Sequence, residues 1–282
     1  TTFKDTLENN GNFIFCNDYD GLKNYYTLHT YIQDTATHNL LHYNFMNYPF
    51  GDCVYYTDNT PLFAVVYKAA CLRFPALLKY DFKAFDTILV FNILLASVIL
   101  YFILLYLVQS PVLLIVFSVC LPWVSQMFFK LTGLMNFSLS SLILLHILLH
   151  IRLFYRWDST KKAIGYAVAI VLLIVLSFFV HGYYLFILAF TSAFICFFQG
   201  FVSFKLRPVL ASFLIPGLAF GLSWAALNII DPQLPIRSNN ILGYGYDGWE
   251  ASFLALFCPY PTATIRFRLA PGDYPFSFEV MC

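Results

Sequence analysis

The stretch FCNDYDGLKNYYT, residues 15–27, sets two carboxylates, Asp18 and Asp20, one residue apart, with Gly21 and Lys23 directly behind them. Carboxylates at that spacing can hold a divalent cation, or one can act as a base while the other tunes it. Gly21 allows a tight turn, so that the helix behind it can start close to a ligand; a solvated turn with an N-cap is the plainer alternative. Further along, TDNTPL places Asp58 just ahead of Pro61, a pattern that starts helices, and Asp58 serves there as a cap or a substrate contact. His181 and Tyr184, in VHGYYLF between two apolar runs, are suited to contact an anionic head group at a membrane surface. Arg237, in DPQLPIRSNN, can clamp a phosphate bidentately.

Other polar groups point to quieter roles. Asp34, His38 and His42 recur at i, i+4 and i+8, one face of a helix; a hydrogen-bonded face is favoured there over a metal site. His146 and His150 stand in HILLH, which has the spacing of a zinc-peptidase motif but not its Glu, so that class is excluded and packing histidines are expected. None of the seven cysteines forms a C-x-x-C pair, which leaves zinc and redox motifs unsupported. Cys120 and Cys196 sit in apolar runs as packing residues.

The elements that carry these groups are dictated by composition. Of 282 residues 60% are hydrophobic and 11% charged, against about 25% charged in a soluble domain. Net charge is +1 and the basic residues form no stripe, which excludes a nucleic-acid partner. The fold class is an all-α polytopic integral membrane protein. Residues 1–85 contain no run that could span and form a first outer loop, with an aromatic amphipathic helix over 22–47 lying in the membrane interface. Residues 86–230 hold six apolar segments of spanning character, 86–107, 111–129, 138–155, 163–180, 183–203 and 208–230, the third being the shortest in apolar core. Residues 231–282 form a Pro-, Gly- and Asn-rich loop and tail. The loops IRLFYRWDSTKK and SFKLRP are basic and are assigned to the cytoplasmic side. Residues 1–85, 130–137, 181–184 and everything after 230 then share the opposite side, where nearly all the chemistry collects.

With DYDGLKNYYT and NYPFGDCVYYTDNTPL followed by many spans and a late polar loop, the chain resembles the GT-C superfamily of membrane glycosyltransferases, and in particular its polytopic members from Bacteroidetes-type bacteria. The resemblance implies a location in the bacterial inner membrane with an extracytoplasmic active face. It implies transfer of a sugar from a polyprenyl-phosphate-type lipid-linked donor, with Asp20, or alternatively Asp18, as the base. Lys23, Asp58, His181, Tyr184 and Arg237 are the expected substrate contacts. A divalent cation is the one cofactor this arrangement admits. The family's first span would precede Thr1, so an upstream apolar helix is expected, and the tail APGDYPFSFEVMC reads as truncated. A transporter or flippase, or a non-catalytic membrane scaffold, is the alternative.

Overall fold

The computed structural model describes residues 14–15, 19–34, 39–46, 50–57, 59–125, 128, 130–231 and 233–234. The chain divides into a unit over Thr1–Pro232 and a second over Gln233–Cys282. The helices of the bundle belong to the first unit.

Helices account for nearly all regular structure. Helix α1 covers Tyr19–Gln33. A two-residue antiparallel ladder comes next, β1 His42–Tyr43 with β2 Asp52–Cys53, in the register His42 to Cys53. Helix α2, Pro61–Arg73, opens with proline at its first position, where the missing N–H is no loss. After a 3₁₀ segment at Pro75–Tyr80, α3 runs Asp81–Leu104. Then come α4 Pro111–Val124, α5 Ser140–Phe154, α6 Thr160–Phe178, α7 Tyr183–Ser203 and α8 Leu206–Ile230.

Among the described residues five stretches are long and apolar enough to cross a bilayer: 75–104, 135–154, 160–178, 183–203 and 206–230. Their outward faces carry large apolar side chains. On α3 Phe85, Leu89, Ile93 and Ala96 are buried, whereas Ile88, Phe91, Leu95 and Val98 are exposed, so one face packs on protein and the other is left for lipid. A continuous exposed apolar surface on this scale has no stable place in water. The chain is an all-α polytopic membrane protein. Between the helices sit small side chains: Ser177 on α6, Ser192 and Gly200 on α7, and Ser212, Ala219 and Ser223 on α8 are all buried. Small residues permit close approach where no hydrophobic drive operates.

Two sequence expectations change. The segment expected to span over 111–129 is helical over Pro111–Val124, 14 residues with Pro122 inside; that is about 21 Å of helix, short of a hydrocarbon core of about 30 Å. The amphipathic helix expected over 22–47 stops at Gln33. Asn39 then accepts the Leu41 N–H on its own side chain at 3.0 Å, a local turn that competes with helix. His42 therefore stands on a strand and shares no helical face with Asp34. The apolar face of α1, Tyr25, Leu28, Tyr31 and Ile32, is 0–1% exposed and packs on α2 and α3. It faces protein and not the lipid interface.

The bundle has two chemically distinct ends. At one, Arg152, Arg156, Lys161, Lys162, Lys205 and Arg207 gather. Lys205 pairs with Asp158 at 3.1 Å, and Arg207 donates to the Trp157 carbonyl at 3.4 Å. Trp157 donates to Gln199 at 3.1 Å, and Tyr106 stacks on Tyr155 with ring centres 5.4 Å apart. At the other end, the described residues between 19 and 80 form a lobe over the helix termini.

Candidate functional site

The lobe is fixed to the bundle by contacts that are mostly polar. Tyr25 on α1 donates to the buried carboxylate of Asp86, and its oxygen accepts the Phe15 N–H at 3.0 Å. One turn on, His29 meets Asp81 at 2.5 Å. Tyr55 packs its ring on Phe178 and Phe179 at the end of α6, with centroids 4.9 and 5.8 Å away, and the Leu62 N–H donates to the Phe179 carbonyl at 2.8 Å. Tyr56 donates to Asp231, just past α8, at 2.8 Å. Thr60 reaches the Asn136 side chain. So the start of α3, the approach to α5, the end of α6 and the end of α8 meet the lobe at one end of the bundle.

Aspartates dominate this junction, and all five that are described with their side chains are buried: Asp34, Asp52, Asp81, Asp86 and Asp231. Burying a carboxylate is tolerable only when it is bonded. Asp34 accepts from Asn44 at 2.9 Å, Asp52 from the Cys53 N–H at 2.7 Å, and Asp81 from the Phe82 N–H at 2.8 Å as well as meeting His29. Their work is to hold backbone and helix ends in place. Asp86 is the exception in one respect. Its Oδ1 takes the Tyr25 hydroxyl, whereas Oδ2 has no hydrogen-bond partner among the described residues.

Lys68, on α2, is 1% exposed. Its Nζ lies 4.2 Å from the centre of the Tyr31 ring and reaches no acceptor among the described residues. Burial pulls its pKa down, and the nearby Asp34 charge acts the other way. Burial likewise raises the phenols of Tyr31 and Tyr55, and lifts Tyr67 to about 12. Tyr25, His29, Lys68, Asp81 and Asp86 are the polar residues of this region that the sequence reading did not single out. The available signal was the pair of acids in YDFKAFDT at the mouth of an apolar run, and a lysine in VVYKAACL with apolar residues on both sides.

Of the expected site residues, Asp18, Asp58 and Arg237 lie outside the described residues, as does His38. Asp20 falls in the first turn of α1. Lys23, one turn on, is exposed, and its carbonyl accepts from Thr27 at 2.8 Å. His181 is half-buried in the break between α6 and α7. Its ring lies 4.7 Å from Phe137 and stacks on Tyr183 at 5.1 Å, and the Tyr183 N–H donates to Nδ1 at 3.4 Å. Tyr184 is fully buried and donates to the Asn136 carbonyl at 2.9 Å. Asn136 thus joins Thr60 of the lobe to Tyr184 of the bundle. Tyr184 is a structural tie, with its hydroxyl committed.

His146 and His150 are buried between α5 and α7, and both Nε2 atoms meet the Ser192 hydroxyl, at 2.7 and 3.0 Å. Cys196 Sγ lies 3.8 Å from His150 Nδ1. They are interhelical hydrogen-bonding residues, as the missing Glu of the motif suggested. Among the described residues no three His, Cys, Asp or Glu converge to hold a metal ion, and no disulfide involves Cys53, Cys71, Cys120 or Cys196.

Together the helices and the capping lobe define a polytopic membrane protein with buried aspartates at one end of its bundle and basic side chains at the other. The chain belongs to the family described as Domain of unknown function (DUF6311), whose model matches residues 4–274. No curated protein and no solved structure matches it.

Proposed function

We propose that this protein is a GT-C-type membrane glycosyltransferase that moves a sugar from a polyprenyl-phosphate-type donor to an acceptor at the extracytoplasmic face of a bacterial inner membrane. In this reading the fold is GT-C-like, with the segment 111–129 as a sixth crossing. The observation that supports it is the lobe of residues 19–80 seated on one end of the bundle, opposite the basic end, with Asp20 in the first turn of its leading helix. A lipid-linked donor carries its phosphate at the membrane interface. A base that meets it must be held at that depth by protein that does not itself cross. Asp20 takes the acceptor proton, with Asp18 tuning it or replacing it. Lys23 and His181 are the contacts proposed for the donor phosphate and sugar, and a divalent cation, if one is used, would be held by the paired acids.

The test is sugar transfer by the purified chain in the presence of a polyprenyl-phosphate sugar. Asp20→Asn keeps size and polarity but cannot accept a proton, so transfer falls by about 10²–10⁴-fold with yield and thermal stability unchanged. Full transfer by both Asp20→Asn and Asp18→Asn would leave the reading without a base. The transporter alternative draws on the buried Ser192, His146 and His150 cluster between α5 and α7, because transporters keep polar groups at mid-depth. Substrate uptake into vesicles that is lost in His146→Phe but intact in Asp20→Asn would favour it.

A further inference from the structure

At the end of the bundle opposite the lobe, two turns between spans are pinned together. Lys205, between α7 and α8, meets Asp158, between α5 and α6, at 3.1 Å, and Arg207 donates to the Trp157 carbonyl at 3.4 Å. Arg156 directly precedes Trp157, so Arg207 stands beside the turn that carries it. Trp157 donates to Gln199 on α7, Arg152 lies over the Tyr106 ring at 5.7 Å from its centre, and Lys161 and Lys162 occupy the first turn of α6.

What faces these cations can be named. Asp158 is the only acid in the sequence between Asp86 and Asp231, and Lys205 occupies it. The side chains of Arg156, Lys161 and Lys162 are exposed and meet no acceptor among the described residues. Apolar side chains border them. Phe204, at the tip of the α7–α8 turn, is 91% exposed, and Leu206 and Tyr155 are exposed next to Lys205 and Arg156 in the chain. Phe204 has φ of +52°, a left-handed backbone that bulky residues seldom adopt, closed by the Lys205 N–H on the Gly200 carbonyl at 3.2 Å. The turn thus holds the ring outside the protein. A bare aromatic ring beside cations at the end of spanning helices belongs to the membrane interface, and basic sites between spans take anionic head groups.

We infer that this end binds an anionic glycerophospholipid of the adjoining leaflet, its phosphate on Arg156 and Arg207, with Phe204 and Leu206 level with the top of its acyl chains. A guanidinium suits a phosphodiester because its paired N–H groups match two phosphate oxygens. The lipid comes from the surrounding bilayer and meets none of the residues proposed for sugar transfer, so this inference stands whether or not the transfer reading does. Each basic residue close to an anionic head group adds about fivefold to binding, so the two arginines select anionic over zwitterionic lipid by about twenty-five-fold.

The test uses the full chain, purified in detergent and exchanged against phosphatidylglycerol or phosphatidylcholine, with retained lipid counted by native mass spectrometry. Phosphatidylglycerol should be retained in preference to phosphatidylcholine. Arg156→Gln should lower its retention about fivefold, and Arg156→Gln/Arg207→Gln about twenty-five-fold. The single variant removes no hydrogen bond or ion pair among the described residues, so it serves where the double one folds poorly. Asp158→Asn should act in the opposite direction. It takes away the one carboxylate at this end and releases Lys205, so retention should rise about fivefold, a gain that loss of structure does not produce. Arg73→Gln/Lys79→Gln, at the lobe end, should leave retention unchanged. Equal retention of the two lipids, full retention in Arg156→Gln, no gain in Asp158→Asn, or an equal fall in the lobe-end variant would each overturn the inference.

Discussion

At the scale of single residues, Lys68 is a group whose burial moves it away from its ordinary state. An ammonium buried with an aromatic ring beneath it and no acceptor among the described residues has lost its water and gained only a weak cation–π contact. An unfolded lysine keeps its proton to about pH 10.4, whereas burial makes Lys68 release it at a lower pH. Between those two values the unfolded chain binds more protons than the folded one, so the Lys68 contribution to stability rises with pH across that window. Cys71 and Tyr31, both with raised pKa values, act in the opposite sense as the pH climbs, so the lysine contribution has to be isolated by difference. The variant Lys68→Met removes the charge and keeps the stem. Subtracting its melting temperature from that of the parent, from neutral pH to about pH 10, should give a difference that moves in the parent's favour as pH increases. At neutral pH the variant should be as stable as the parent or more so, because an apolar side chain of similar volume often replaces a buried charge without loss. A flat difference would mean that Lys68 carries its charge in both states.

At the scale of elements, the turn between β1 and β2 shows how a local backbone demand fixes the lobe. Gly51 has φ of +71°, and a Cβ built there would lie 2.2 Å from His42 Nε2. Gly51→Ala should cost about 1–2 kcal/mol for the left-handed backbone alone, with a further loss until His42 moves. Thermal unfolding of Gly51→Ala beside Gly51→Ala/His42→Ala separates the parts: the second variant recovers the steric loss and retains the backbone loss. The helix starting at Pro61 was legible in the sequence as TDNTPL, because proline chemistry acts over a few residues. The long apolar runs were equally legible. What escaped was set by contacts distant in sequence. The first span starts with helix at Asp81 and not Asp86, because Tyr25 and His29 from α1 cover the two acids that would otherwise have kept the helix end in water. The aromatic helix ending at Gln33 looked interfacial because its apolar stripe had no visible partner; α2 and α3 supply one. Tyr184 looked like a ligand contact for the same reason, and Asn136, 48 residues away in sequence, takes its hydroxyl.

At the scale of the whole molecule, the decisive property is the separation of charge between the ends of the bundle. One end gathers Arg152, Arg156, Lys161, Lys162, Lys205 and Arg207 in the short loops between spans and the helix ends beside them. Short loops rich in Lys and Arg stay on the cytoplasmic side, whereas long segments cross largely regardless of charge. The lobe of residues 19–80 is a long segment, and its own lysines, Lys23, Lys68 and Lys79, therefore do not contradict an extracytoplasmic position. The two ends can be distinguished by single cysteines at exposed positions, Asn39→Cys on the lobe and Lys162→Cys on the basic loop. In intact cells a membrane-impermeant maleimide should label the first above the parent background and leave the second unlabelled until the membrane is opened. Moving charge should move the fold with it. Neutralising Arg152, Arg156, Lys161 and Lys162 together removes most of the basic bias of that loop, and a fraction of molecules should then expose Lys162→Cys in intact cells. If both cysteines react in the parent topology without permeabilisation, or if the lobe cysteine is the protected one, Asp20 cannot meet a lipid-linked donor at the outer surface, and the transfer reading fails with the orientation on which it depends.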